Sequence, residues 1–251
     1  MSRRGVSVDA VARATERLRA KAPRVHCLTN AVAQAFTANV LLALGAVPSM
    51  TIAREEVADF VADADALLVN LGTLDPERQG AIEVALPAAA RAGLPWVLDP
   101  VFADASLPRL GFAQGLLNRR PTVLRANGGE LAALSGARDA AIFAEATGVT
   151  VALTGAEDVI SDGARTMRIA NGDPMLTRIT ATGCAAGAVV AAFLAVEPDP
   201  VVAATSALAV FGVAADMAGE TAKGPGSFAV ALLDALYLLD GAALSTRARI
   251  S

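Results

Sequence analysis

Residues 66–100 read ALLVNLGTLDPERQGAIEVALPAAARAGLPWVLDP. The stretch opens on an apolar run, ALLVNLG (66–72), and continues as a helical segment from Pro76 to Ala92. A second apolar run, WVLDP (96–100), closes it. Short apolar runs with polar ends, joined by a helix, mark a strand–helix–strand crossover. Strands joined in this way lie parallel, and a parallel sheet needs helices on both faces.

The alternation extends outward in both directions. RVHCLT (24–29), TVLRAN (122–127) and VTVALTG (149–155) read as further buried strands. Val32 to Leu44, Glu55 to Ala62, Leu107 to Leu117 and Gly129 to Ser135 read as the helices around them. After residue 155 the pattern changes. DVISDGARTMRIANGDP (158–174) reads as a hairpin turned at Asp162-Gly163 and closed at Asn171-Gly172. Helices follow over Gly183 to Val196, Pro200 to Gly219 and Ser227 to Leu239. No repeat, linker or compositional break divides the chain, so residues 1–251 are expected to form a single α/β domain.

With 54% hydrophobic and 18% charged residues, the chain can bury a large core, which argues against disorder. The net charge is −4, and no Lys/Arg run is longer than Arg3-Arg4 or Arg119-Arg120. A nucleic-acid partner is therefore not expected. Two cysteines, Cys27 and Cys184, are too few for a disulfide framework. The N-terminal stretch has no signal-peptide apolar run. The charge-free run from Ile179 to Val196 opens with ITATGC, so its apolar part is too short to span a bilayer. A cytoplasmic protein with no membrane partner is expected.

Open α/β sheets bind ligands beyond the carboxyl ends of their strands. Asn30, Asn70, Asp99, Arg125, Asn127 and Thr154 should therefore gather on one edge, though each also suits a helix cap. In ITATGCAAGAVVAAFLAV (179–196), Thr180, Thr182 and Gly183 precede a long apolar helix. Free N–H groups of a first helical turn bind phosphate and stabilise charge in phosphoryl transfer, and a plain capped helix reads the same way. Cys184 sits at that helix start, where a thiol pKa is lowered, or else it is a small buried hydrophobe. Asp99 and Glu130 are carboxylates able to hold Mg²⁺ beside a phosphate. Arg125, between them in sequence, suits phosphate oxygens or a salt bridge fixing the loops. His26, the single histidine, reads as structural, so a Ser-His-Asp hydrolase and a His-rich metal site are unsupported. No GxxxxGK[ST] occurs, which excludes a P-loop kinase.

VHCLTNAVAQAFTANVLLALGAVPSM, NLGTLD, PWVLDPV, VLRANGGEL, LTGAEDVISDG, TATGC and GPGSF follow one another in this order. From about residue 24 to 240 the chain thereby resembles the hydroxyethylthiazole kinase family of the ribokinase-like superfamily. The resemblance implies a three-layer sandwich with a mostly parallel central sheet. It implies phosphorylation of the hydroxyl of 4-methyl-5-(2-hydroxyethyl)thiazole by ATP with Mg²⁺, for thiamine salvage. Asn30, Val32, Met50 and Ala181 then fall on the thiazole side. Arg125, Asn127, Thr154, Thr182 and Gly183 fall on the ATP side, and Asp99 and Glu130 near Mg²⁺. Cys184 matches the cysteine that stands where related sugar kinases place an aspartate base.

Some residues depart from the family pattern. Its TGTGC stretch is here Thr180-Ala181-Thr182-Gly183-Cys184, and its glycine-rich stretch after DPV is Phe102-Ala103-Asp104-Ala105. If position 181 needs φ > 0, Ala costs on the order of 1 kcal/mol there. The same fold hosts other vitamin-precursor kinases and a dehydratase of hydrated nicotinamide nucleotides. A non-catalytic thiazole-binding protein is a further reading, resting on Ala181 and the altered loop. The resemblance also implies a homotrimer with sites between chains. Cys184 to Val196 and Val201 to Ala215 carry no charge, and two such helices are expected to need cover from a neighbouring subunit.

Overall fold

The computed structural model describes residues 5–136 and 138–251, so Arg3 and Arg4 lie outside the described residues. Its strands are β1 (Arg24–Leu28), β2 (Val47–Ser49), β3 (Ala66–Asn70), β4 (Trp96–Asp99), β5 (Val123–Asn127), β6 (Thr150–Thr154), β7 (Asp158–Ser161) and β8 (Thr166–Ile169). They form one sheet in the order β2-β1-β3-β4-β5-β6-β7-β8. The first six strands run parallel, and β7 and β8 add an antiparallel hairpin at one edge.

The helices before β6 are α1 (Val8–Lys21), α2 (Gln34–Leu44), α3 (Val57–Ala62), α4 (Pro76–Ala92), α5 (Leu107–Leu117), α6 (Gly128–Ser135) and α7 (Ala140–Thr147). Those after β8 are α8 (Thr182–Leu194), α9 (Pro200–Thr221), α10 (Pro225–Leu238) and α11 (Gly241–Arg247). The two-residue alternation of strand side chains sorts the core into two layers. Cys27, Ala66, Leu68 and Val97 face a layer built with α1, α2, α8, α9 and α10. Leu67, Val69, Leu98 and Leu124 face the layer of α3 to α7. The parallel sheet covered on both faces is the architecture that residues 66–100 foretell.

Local chemistry sets the helix starts. Asp75 accepts from the Arg78 N–H, and Pro76 opens α4 where no N–H is needed. Asp199 and Pro200 repeat this arrangement at α9. Several elements differ in bounds from expectation: α2 starts at Gln34, α3 at Val57 and α10 at Pro225, while α8 ends at Leu194 and α9 runs on to Thr221. Four more, α1, β2, α7 and α11, have no counterpart in the strand-and-helix alternation.

The charge-free helices need no neighbouring chain. Every residue of α8 from Cys184 to Leu194 is buried, as is most of α9. The sheet, α1, α2 and α10 supply the cover, because α8 lies directly on the strands and α9 packs on α8. By length and composition α9 could cross a membrane, yet 83% of its apolar window is buried within the fold, as in a core helix. Exposed apolar side chains sit elsewhere: Leu42 on α2, Val47 on β2, Phe60 on α3, and Val230, Tyr237 and Leu238 on α10.

Candidate active site

The polar strand ends do gather on one edge. Asn70 stands beside Asp99 in the β3–β4 register, and Asn127 beside Thr154 in β5–β6. Asn30 lies two residues past β1. The start of α8 sits over them.

Asp99 is fully buried. Asn70 Nδ2 donates to its Oδ2 at 2.8 Å, and Arg125 Nη1 donates to its Oδ1 at 3.4 Å. Burial pushes the carboxyl up to about 6, with the Arg125 charge opposing and the Glu130 charge assisting. Arg125 also donates from Nη2 to Thr154 Oγ1 at 2.7 Å. Its Nε is buried without a partner, so the guanidinium keeps an unused donor.

Ala181, the residue just before α8, lies in the left-handed region with φ 73° and gives the helix no side-chain cap. The condition under which alanine is strained at this position is therefore met. Gly183 and Gly187 lie one turn apart on the face toward the sheet. A Cβ at Gly183 would lie 3.0 Å from Arg125 Nη2, and one at Gly187 3.2 Å from Asp99 Oδ2. These glycines let the helix rest directly on the ion pair. The Thr182 hydroxyl turns away, donating to Leu176 O at 2.9 Å.

Asn30 Nδ2 donates to Cys184 Sγ at 3.0 Å. Burial, with the Asp99 charge second, pushes the thiol up to about 11. The expected lowering by the helix end is outweighed, and Cys184 is a neutral thiol at pH 7. Both cysteines are free.

Glu130 is held differently. Its Oε1 accepts from the Phe102 N–H at 3.1 Å, and its Oε2 from the Asn127 N–H at 2.9 Å. Asn127 Oδ1 accepts in return from the Gly129 and Glu130 N–H groups, both at 2.9 Å. This is a capping box, so Asn127 and Glu130 fix the α6 start and the Phe102 loop. Val32 is 63% exposed, and Met50 is half-buried against the α8 side of the core.

His26 is structural, as expected. The Ser49 hydroxyl meets its Nδ1 at 2.8 Å and its Nε2 reaches Thr51 O at 3.1 Å, while burial lowers its pKa to about 4. Two residues stand out that carry no assigned role in the sequence. Asn70 is visible there only as a polar strand end. Asp158 opens β7 near Arg125, and burial pushes its carboxyl up to about 6. Its only sequence signal is its place four residues after Thr154.

Among the described residues, no group of three or more His, Cys, Asp or Glu side chains is placed to hold a metal alone. A hard cation held by one or two carboxylates together with substrate phosphates fits Asp99, whose buried charge is incompletely balanced. Glu130 fits less directly, since backbone donors occupy both its oxygens. Clefts of about 600 Å³ beside Arg17 and Pro198, and about 320 Å³ beside Trp96 and Thr122, lie away from this edge.

A doubly covered, mostly parallel sheet with the start of α8 set over its strand ends places the chain in the ribokinase-like α/β fold class. A ribokinase-like superfamily protein from Enterococcus faecalis shares the fold at a TM-score of 0.66 and 17% identity, over 92% of this chain and 94% of that one. Within this class, the chain belongs to the hydroxyethylthiazole kinase family, whose model matches residues 15–141 and 137–241. A probable hydroxyethylthiazole kinase of Agrobacterium fabrum is 46% identical over 235 residues, covering 94% of this chain and 92% of the relative. The solved structure of a hydroxyethylthiazole kinase protein from Pyrococcus horikoshii OT3 superposes with a TM-score of 0.93 at 41% identity, covering 97% and 98% of the two chains.

Proposed function

We propose that this chain transfers the γ-phosphoryl group of ATP to the hydroxyl of 4-methyl-5-(2-hydroxyethyl)thiazole. The observation that carries the reading is the meeting, on one edge, of the uncapped α8 start, the Arg125–Asp99 pair and the Asn30–Cys184 contact. The alcohol oxygen bonds to the γ-phosphorus while the bond to the β–γ bridging oxygen breaks. The products are the thiazole phosphate, ADP and a proton.

In this reading the N–H groups of Thr182, Gly183 and Cys184 hold the transferring group, with the Arg125 charge lying beneath Gly183. Thr154 aims Arg125, and Asn127 shapes the nucleotide side by capping α6. Asn30, Val32, Met50 and Ala181 form the acceptor side. Cys184 orients the hydroxyl more than it deprotonates it, because a neutral thiol is a poor base and a loose transition state needs little base help. Asp99 would hold Mg²⁺, with Glu130 contributing charge or a water-mediated contact. When bound, Mg²⁺ supplies charge neutralisation on the phosphates.

The whole chain is read as one domain, since all eight strands share one sheet. The two free thiols suit the cytoplasm. The exposed apolar residues on α2, β2, α3 and α10, together with the open strand-end edge, favour a homotrimer with sites between chains. A fully active monomer by light scattering would rule this out.

The test of function is an assay with ATP and Mg²⁺ on the thiazole alcohol, hydroxymethylpyrimidine, pyridoxal and hydrated NADH. The thiazole alcohol should be turned over fastest. Faster turnover of pyridoxal, or thiazole binding in a calorimeter without any turnover, would sink the proposal.

A further inference from the structure

We infer that Asn70 is the positioning residue that keeps the acceptor side of the site in register with the phosphoryl side, an inference that rests on the phosphotransfer reading above. Three strand ends meet at its amide. Its Oδ1 accepts from the Gly72 backbone N–H at 3.0 Å and from Asn30 Nδ2 at 3.3 Å. Its Nδ2 donates to Asp99 Oδ2 at 2.8 Å. A backbone N–H can be answered only by the carbonyl oxygen, so Gly72 settles which way the Asn70 amide faces. Asn30 is settled likewise, because its Oδ1 accepts from the Ala33 N–H at 2.9 Å. Its Nδ2 is thereby left to reach Cys184 Sγ at 3.0 Å.

The result is a directed chain, Cys184–Asn30–Asn70–Asp99, running across the ends of β1, β3 and β4. Asn70 is only 1% exposed, so it acts through Asn30 and Asp99. The loop that carries it is shaped for Asn30. A Cβ on Gly72 would lie 2.6 Å from Asn30 Nδ2 and 2.7 Å from Asn30 Cβ. The next residue, Thr73, adopts φ 42° and accepts the Ala31 N–H on its Oγ1 at 3.1 Å. Residues 70–73 thus grip residues 30 and 31 by side chain, by main chain and by an absent methyl group. A buried amide with its oxygen doubly engaged cannot drift. Reacting atoms misplaced by an ångström lose on the order of 100-fold in rate.

The test measures two products of the intact enzyme together, at saturating thiazole alcohol and ATP with Mg²⁺. One is thiazole phosphate. The other is free phosphate from ATP hydrolysed without transfer. Their ratio is independent of how much protein is folded, so general destabilisation does not move it. Asn70→Ser and Gly72→Ala should each lower the ratio of transfer to hydrolysis by about tenfold or more, with the ATP KM changed by less than about twofold. In an Asn30→Ala background, Asn70→Ser should add less than about a twofold further loss, because the two act in series. An unchanged ratio in both single variants, with both rates falling in step, would overturn the inference. A full additional tenfold loss in the double variant would do the same. Wild-type enzyme that forms no thiazole phosphate would instead refute the underlying reading.

Discussion

At the end of β4, Asp99 is held by side chains, those of Asn70 and Arg125. At the start of α6, Glu130 is held by the main chain, through the N–H groups of Phe102 and Asn127. Both carboxylates are buried, and both act electrostatically on Arg125. Their surroundings differ in what they permit. Side-chain partners can share a carboxylate with an arriving ligand, whereas backbone partners tie it to the local fold. The pair teaches that acidic residue type and proximity do not by themselves separate a working carboxylate from a framework one. The partner atoms do.

The sharpest test of this contrast is Asp99→Asn. It should lower kcat on the order of 100- to 1000-fold, while Tm shifts by only a few degrees because Glu130 and Asp158 still balance Arg125. Steady-state kinetics and a thermal scan check both halves, and near-wild-type turnover would break the contrast. Cys184→Ala comes next, with an expected loss of about tenfold in kcat and clear residual activity. Complete loss there, alongside an active Asp99→Asn, would reverse the two roles.

Glu130→Gln should act chiefly on stability. Its new amide group must face a backbone N–H, which costs about 1–2 kcal/mol and a few degrees of Tm. Turnover per folded molecule should stay within about tenfold, and a loss as deep as that of Asp99→Asn would erase the distinction. The smallest effect is expected for Ala181→Gly. Relief of the left-handed backbone should raise unfolding free energy by at most about 1 kcal/mol, read by urea titration. A clear loss of stability would mean that the alanine methyl packs usefully.

The sheet was legible because its buried strands are apolar runs ended by Asn, Asp or Thr. What escaped lacks that contrast. β2 is three residues with a proline inside, and α7 is eight residues long. α1 hides its buried Val11, Ala14 and Leu18 among charges. The edge on which the site lies followed from the parallel topology. The roles along it did not, because they depend on where amides point. Asn70 and Asp158 have no local signature that states their partners. Glu130 did have one, the Asn127-Gly128-Gly129-Glu130 spacing of a capping box, which competes with a metal-ligand reading. Of the two readings of Cys184, the buried small hydrophobe holds and the helix-end lowering does not, because desolvation and Asp99 become visible only once the chain is folded.

The two faces of the sheet are completed at different moments of synthesis. Helices α3 to α7 alternate with the strands, so each arrives on the ribosome nearly in step with the surface it covers. The opposite face waits for α8, α9 and α10, with only α1 and α2 present beforehand. At roughly 5–20 residues per second, Leu68, Val97 and their neighbours stay bare for several seconds after their strands emerge. A half-clad apolar sheet on a nascent chain is prone to aggregate, and residues 182–238 are what cover it.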